Sequence, residues 1–376
     1  LSALTVVGWS QAARAADANQ KSAGLTSEKA TQLIRSTVDR AVAVLEDPAL
    51  QGRENRTERH EKLRAISDEV FDWEDLPESV AVFGPGVIGL ELGQALARLG
   101  VRVKMFGVGG AVGPIQDPEI RRIALEIFNR EFFLDPDVET TGIREIENAV
   151  EVGYRDENGA EVHDVFDYLL AATGRRPNVD GLGLERTGLA LDDRGVPEFD
   201  RYTLRCGESS IFIAGDANND LPLLHEAADE GRIAGANAGS YPQVQTGLRR
   251  TPLSVVFTDP QIATVGLTIQ QTDERCKGCF AVGSVDFENQ GRSRVMGRNR
   301  GLLRVYGEHG TGRFMGAEMF GPAAEHIAHL LAWSAQQRMR VTEMLEMPFY
   351  HPVIEEGLRT ALRDLHDKLR LGPELA

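Results

Sequence analysis

Apolar residues along this chain keep two rhythms. From Glu28 to Asp47 they fall at Ala30, Leu33, Ile34, Val38, Ala41, Val42 and Leu45, the spacing of one helix face, and a charged helix-like stretch follows from Arg53 to Arg64. Beyond residue 78 short, mainly apolar runs take over and read as strands: Val80–Phe83, Val101–Phe106, Phe166–Ala172, Ile211–Ala214, Leu253–Phe257, Ala281–Phe287 and Leu302–Tyr306. Between them the pattern predicts an Ala/Leu-rich helix to Leu99 and a helix opening at Pro222, with that proline in its first turn. Another helix is predicted after Pro322, and a last one from Pro352 to about Leu369. Pro352 suits the first helical position, and Glu355 and Glu356 suit the first turn, where carboxylates meet the positive end of the helix dipole.

The front of the chain has its own character. It opens at Leu1, which reads as an incomplete start, and Leu1–Trp9 is apolar and followed by Ala13-Arg14-Ala15. That is the back half of a secretory signal, a hydrophobic core with a small-residue cleavage site; a short buried helix is the alternative. No run of 18 or more apolar residues occurs, so no spanning helix is expected.

The strand Val80–Phe83 runs directly into Gly84-Pro85-Gly86-Val87-Ile88-Gly89, then Leu90-Glu91 and the helix. A lone G-x-G-x-x-G means little, but here a strand precedes it, and a helix and second strand follow. In that setting Gly84 permits the tight turn and Gly86 lets backbone approach a pyrophosphate. Gly89 lets helix and strand pack, and the helix N-terminus offers N–H donors to the anion. The acidic residue expected about 20 positions on, to hold the adenosine ribose, is replaced by Gly107 and Val108-Gly109-Gly110. No arginine follows to take a 2′-phosphate, so NAD against NADP stays open.

Composition narrows the field. Across 376 residues, 41 Lys+Arg against 57 Asp+Glu leave a formal charge of −16 with no compensating basic patch, which argues against nucleic acid and anionic membranes as partners. Three cysteines do not make a disulfide scaffold. Cys276-Lys277-Gly278-Cys279 has C-x-x-C spacing, but no second pair completes a zinc set, and we read it as an incidental surface connection. No metal site is expected.

Two further places carry candidate chemistry. Asp216 closes the run Ile211–Gly215, where a carboxylate could accept hydrogen bonds from a polyol or simply cap a helix; Pro222-Leu223-Leu224-His225 follows. His351 lies beside Glu355 and Glu356, and a carboxylate-held imidazole is a general acid–base arrangement. The alternative is that these acids serve only the helix end.

Taken together, VAVFGPGVIGLELGQALARLGVRV, LLAATGRRPN, IFIAGDANNDLPLLHEAADEGRIAGANA, PLSVVFTDPQIATVGLT and MPFYHPVIEEGLRTALRDL resemble the dihydrolipoamide dehydrogenases, flavoproteins of the pyridine nucleotide–disulfide oxidoreductase family. The resemblance runs from about Asp68 to the C-terminus. It implies an α/β fold: a Rossmann-type NAD-binding domain (77–174), a partial remnant of the FAD-binding domain (175–244) and a C-terminal α+β dimerisation domain (245–376). It implies that Gly84 to Glu91 form the NAD pyrophosphate turn, with Glu91 near the nicotinamide, and that Gly174 lines the same site. Asp216 would bind the ribityl chain of FAD, and Pro222, Leu223, Leu224 and His225 would contact the flavin ring. His351 would be the acid–base residue, oriented by Glu356 and working across a homodimer. The implied substrate is dihydrolipoamide on the lipoyl domain of a 2-oxo acid dehydrogenase complex, and the implied compartment is the cytoplasm.

Residues 30–66, ATQLIRSTVDRAVAVLEDPALQGRENRTERHEKLRAI, instead resemble the start of periplasmic phospholipid-shuttle proteins of the toluene-tolerance type, so residues 1–66 read as a helical leader of another family. Before Gly84 there is neither a second glycine fingerprint nor a cysteine, whereas the dehydrogenases carry a flavin turn and a C-x-x-x-x-C disulfide there. Ser67–Leu76 fits both parents, which suggests a fusion or an assembly join with impaired catalysis. The alternatives are a non-catalytic dimeric nucleotide-binding fragment and a periplasmic phospholipid carrier.

Overall fold

A computed structural model describes residues 76–372 and a few isolated positions between 40 and 62. The leader expectations, including the signal-like segment and the Ser67–Leu76 junction, lie almost wholly outside the described residues; of the isolated positions, 40, 43, 44, 58, 59 and 62 are helical.

The first unit is built on a parallel sheet. Its strands are β1 (Ser79–Phe83), β2 (Arg102–Phe106), β3 (Phe133–Asp135) and β7 (Tyr168–Ala171), ordered β3-β2-β1-β7. β1 lies between two parallel neighbours, with Val80 opposite Val103 on one side and Tyr168 on the other. Central strands of such sheets are covered on both faces, which is why Val80-Ala81-Val82 is uninterruptedly apolar and buried. Helix α1 (Val87–Arg98) returns along the sheet, and α2 (Pro118–Phe128) follows. Asp117 caps α2 by accepting from the N–H groups of Glu119 and Ile120, with Pro118 at the first helical position. An antiparallel meander, β4 (Thr140–Ile146), β5 (Ala149–Arg155) and β6 (Glu161–Phe166), leads back into β7.

The expected single strand Phe166–Ala172 is therefore two strands in different sheets. They divide at Asp167, whose carboxylate accepts from Ser79 N (2.9 Å) while its own N–H donates to Ser79 Oγ (3.1 Å). This reciprocal pair breaks the antiparallel ladder and starts the parallel one. A second correction concerns Ile211–Ala214, which forms no buried strand. It gains one isolated bridge, Arg205 to Phe212, and all four residues stay half-buried, because no continuous neighbouring ladder lies alongside them.

The segment after residue 223 contains α3 (Leu224–Ser240), and then a five-stranded antiparallel sheet forms the second unit. Its strands are β8 (Leu253–Val256), β9 (Gln261–Gly266), β10 (Phe280–Asp286), β11 (Leu302–Glu308) and β12 (Phe314–Gly321), ordered β10-β11-β12-β9-β8. The helices of this unit are α4 (Ile269–Arg275), α5 (Gly291–Val295), α6 (Ala324–Gln336), α7 (Val341–Glu346) and α8 (Glu356–Lys368). α6 and α8 pack on the sheet around Ile327, Leu331, Leu358, Ala361, Leu362 and Leu365. Two helix starts differ from expectation. Pro222 precedes α3, whose cap is Leu223, and Pro352 lies in a turn three residues before Glu355, the cap of α8. In both cases the chain must turn before the first helical N–H groups can align. No described helix is long and apolar enough to cross a membrane.

The two sheets share one interior: Val256, Ile262, Leu302 and Phe320 pack with Leu90, Ile115, Ile120 and Phe128. At its centre the Glu318 carboxylate accepts from the backbone N–H of Gln116 (2.6 Å), Asp117 (3.1 Å) and Ile269 (2.9 Å), and from the Tyr306 hydroxyl (3.0 Å). Arg304 Nε lies 3.1 Å from Asp117, setting one positive charge beside the two buried carboxylates. Burial first, and then the Glu318 and Asp117 carboxylates, push the Tyr306 hydroxyl far above its ordinary range, so it remains a donor. Removing Glu318 takes the acceptor from three backbone N–H groups, of which that of Asp117 is fully buried, and from the buried Tyr306 hydroxyl. Glu318→Ala is expected to cost about 3–5 kcal/mol, read as a fall in the urea midpoint, and Tyr306→Phe about 1 kcal/mol.

A second polar pair ties β2 to the meander. Lys104 Nζ lies 2.5 Å from Asp164 Oδ2 and 2.8 Å from the Tyr154 hydroxyl. Partial burial opposes both charges, yet these hydrogen bonds prevail: Lys104 is raised and Asp164 lowered. Asp164 therefore contributes stability above its unfolded value of about 3.9, lost as pH falls through and below it, and Lys104 contributes below about 10.4, lost as pH rises through it. Asp164→Asn should flatten both limbs of a stability-versus-pH curve; unchanged limbs in urea titrations would exclude the pair as their source.

Candidate functional site

The glycine turn at the end of β1 divides its labour. Gly84 has φ +99°, and a Cβ there would lie 2.5 Å from the Ala172 carbonyl oxygen. A Cβ on Gly89 would lie 2.0 Å from the Gly84 oxygen, so helix α1 can reach strand β1 only without a side chain. Gly86 is different: it caps α1 with no side-chain hydrogen bond, and a Cβ there would meet nothing within 4 Å. The turn is thus closed by its first and third glycines and open at its second, at the N-terminus of α1, the kind of place where unpaired first-turn N–H groups can meet an anion. Pro85 is anchored by its carbonyl, which accepts from Gly113 N at 2.7 Å. Val87 and Ile88 are exposed and Leu90 is buried. Gly174, with φ +109° and open space where a side chain would be, follows the neighbouring strand β7 on the same edge of the sheet.

Glu91 has a structural engagement that its place in the motif did not reveal. Its Oε1 accepts from Phe257 N at 2.8 Å, pinning α1 to the end of β8 and leaving Phe257 exposed. The missing acid at position 107 also has a physical cause. A Cβ on Gly107 would lie 2.6 Å from the Pro136 carbonyl oxygen, where the backbone after β3 crosses the end of β2. The groups nearest this loop come from elsewhere: Asp137 Oδ1 accepts from Gly109 N (2.7 Å), and Arg121 Nη1 donates to the Gly110 carbonyl (3.0 Å). Both lie outside the local spacing a motif search uses.

Asp216 sits in a 3₁₀ turn, Gly215–Asn218, with its carboxylate exposed and 3.3 Å from Arg175 Nη1. What holds this turn is Glu230, wholly buried on α3. Its Oε2 accepts from Gly215 N (2.7 Å) and Asn218 Nδ2 (2.6 Å), and its Oε1 lies 2.8 Å from Arg249 Nη1. Arg249 also pairs with Glu226 at 3.2 Å. The signal for these residues was the helical spacing of Glu226 and Glu230, four apart on the face that α3 buries. Pro222 and Leu223 lead into α3, whose first two residues stay open to solvent, Leu224 being 81% exposed and His225 half exposed.

His351 lies in the turn before α8. Its Nδ1 is 3.0 Å from both carboxylate oxygens of Glu356, which also accepts from Val353 N at 3.3 Å. The His351 hydrogen bond, helped by Val353 N–H, holds the Glu356 carboxyl below its usual range. With Nδ1 donating, the Nε2 lone pair of neutral His351 is free to take a proton, on a side chain 80% exposed. The fold therefore gathers the candidates into three places: the parallel-sheet edge, the turn beneath α3 and the start of α8. Among the described residues, no hydrogen bond links His351 to either of the others.

These features match known proteins. A profile of the pyridine nucleotide-disulphide oxidoreductases matches residues 43–231, and the dimerisation domain of the same family matches residues 253–362. The chain belongs to this family. It is 29% identical over 300 residues to a dihydrolipoyl dehydrogenase of Haloferax volcanii, covering 78% of this chain and 62% of the relative. It is 32% identical over 303 residues to a mercuric reductase of Acidithiobacillus ferrooxidans, covering 77% and 51%. Among solved structures, LpdA of Mycobacterium tuberculosis superposes with a TM-score of 0.67 at 26% identity, over 78% of this chain and 63% of that one. The chain thus spans less than two thirds of the length of these relatives.

The glycine geometry makes a separable forecast. Gly84→Ala and Gly89→Ala should each lower folding stability by about 2 kcal/mol or more through backbone strain and overlap. Gly86→Ala should leave the urea midpoint within about 0.5 kcal/mol. It should weaken NAD binding about tenfold, the equivalent of one lost hydrogen bond. Titration calorimetry beside urea melts distinguishes the two classes.

Proposed function

We propose that this chain carries the nucleotide-binding and acid–base parts of a dihydrolipoyl dehydrogenase, an enzyme passing electrons from dihydrolipoamide through FAD to NAD+. The observation that carries this reading is the His351–Glu356 pair, because a glycine turn alone serves many reactions. An imidazole whose Nδ1 is held 3.0 Å from a carboxylate, with Nε2 exposed, is equipped to accept a proton from a thiol. In this reading residues 77–174 bind NAD, residues 175–244 contribute to the FAD site, and residues 245–376 pair two copies into a homodimer. The exposure of His351 within one chain leaves it available to a second copy's site. The substrate's lipoyl group would be borne by a lipoyl domain of a 2-oxo acid dehydrogenase complex.

By their chemistry the residues present fit NAD and the ribityl part of FAD, whose pyrophosphate turn has no counterpart before Gly84. The open face at Gly86 suits a pyrophosphate, and the exposed Asp216 carboxylate suits the hydroxyls of a ribityl chain. When bound, NAD+ and FAD supply the hydride and two-electron chemistry that side chains lack. His351 Nε2 takes the proton from a substrate sulfur, and Glu356 orients the ring and stabilises its cationic form. Glu230 and Arg249 keep the Gly215–Asn218 turn in place beneath Asp216.

The test is NAD+ reduction by dihydrolipoamide, using the purified chain supplied with FAD. His351→Gln should lower kcat by about 10²–10⁴, and Glu356→Gln by less, with NAD affinity unchanged in both. Equal, measurable rates in His351→Gln and wild type would overturn the assignment, as would a purified chain that binds no NAD.

A further inference from the structure

The cysteines left aside by the sequence reading are joined: Cys276 and Cys279 form a disulfide at the end of α4, with their Cα atoms 5.5 Å apart. We propose that this pair is a thiol–disulfide exchange site reacting with low-molecular-weight thiols and disulfides. Three observations support it. First, the backbone prepares the pair independently of the bond. Cys276 N donates to Thr272 O (3.1 Å), Cys279 N closes a turn on Cys276 O (3.3 Å), and Cys279 O accepts from His309 N (2.8 Å) on the β11–β12 hairpin. Gly278, with φ +73°, supplies the left-handed residue this turn needs. The Cα separation lies within the range a disulfide spans, so the sulfurs stay within reach when the bond is open.

Second, the bond has little value as a staple. A cross-link three residues apart removes little freedom from an unfolded chain, and the hydrogen bonds already close the turn. Third, the site is accessible. Both cysteines are only half-buried, and Arg275, Lys277 and Gly278 around them are exposed. Arg275 and Lys277 are offset by the exposed Asp273 and Glu274 just before them, so the segment bears no net charge that would exclude a small thiol such as glutathione. Cys206, in contrast, is wholly buried with no disulfide partner and serves as an internal control.

The exchange balances as two displacements. One cysteine thiolate attacks a sulfur of the small disulfide, breaking its S–S bond, forming a mixed disulfide and releasing one small thiolate. The second cysteine thiolate then attacks the first cysteine's sulfur, forms the Cys276–Cys279 bond and expels the other small thiolate. Two electrons pass from the protein to the small disulfide, and the two cysteine protons end on the two small thiols. Excess small thiol runs the sequence backwards.

The full chain is equilibrated in graded mixtures of reduced and oxidised glutathione, alkylated and read by mass spectrometry. Two of its three thiols should be lost together in one two-electron step, confined to Cys276 and Cys279, with Cys206 unmodified before unfolding. Cys276→Ser and Cys279→Ser should each leave a stable glutathione adduct on the remaining cysteine, which wild type does not accumulate. Their urea midpoints should equal that of the reduced wild type. Thiols that alkylate fully at every ratio, or glutathione adducts persisting on wild type, would overturn the proposal. A wild-type midpoint that falls markedly on reduction would also do so, by showing the bond to be structural.

Discussion

Everything in this fold rests on how one buried carboxylate is satisfied. Glu318 sits on the central strand of the second sheet with no exposure to solvent, and an unpaired charge there would be prohibitively costly. It is tolerated because the chain delivers N–H groups from the start of α2 and the start of α4, plus a hydroxyl from β11. Those donors belong to elements of both units. Satisfying one side chain therefore ties the nucleotide unit to the antiparallel sheet, beside the apolar seam of Ile120, Phe128, Ile262 and Phe320. The Glu91 contact to Phe257 N fastens the same seam a second time, from the helix that carries the glycine turn.

Positioning of the candidate chemistry follows a common plan. Asp216 and His351 are each carried by a short irregular turn, and each of these two turns is held by a carboxylate from a neighbouring helix. Glu230 holds the turn beneath Asp216, and Glu356 holds His351. The supporting acids are the more buried members in both cases. Irregular backbone leaves N–H groups without ladder partners, and a carboxylate with two acceptor oxygens meets that need in little space.

Legibility in the sequence tracked distance along the chain. The glycine turn was readable because the strand and helix that give its spacing meaning are adjacent and Gly89 clears the nearby Gly84 oxygen, although the carbonyl that Gly84 must clear belongs to the distant Ala172. The His351–Glu356 pair was readable for the same reason, at a separation of five. What escaped was set by partners far away. Asp167 looked like a polar interruption in an apolar run, because its partner Ser79 lies 88 residues off. β4 shows little apolar alternation because most of it is exposed, so its place in the meander depends on β5. Ile211–Ala214 has the composition of a strand but lacks neighbours for a continuous ladder. Pro352 obeyed a sound preference for helix starts, yet the helix begins where the turn carrying His351 ends.

The crossing of the Pro136 carbonyl over Gly107 reaches beyond packing. In a dinucleotide fold the residue after the second strand is the usual handle for choosing between phosphorylated and unphosphorylated adenosine, and here the backbone occupies the space that handle needs. The loop is braced instead by Asp137 and Arg121, groups of opposite charge from separate elements. Anyone seeking to redirect cofactor preference in this scaffold would have to rebuild a loop contact, since a single exchange at the customary position has no room to succeed.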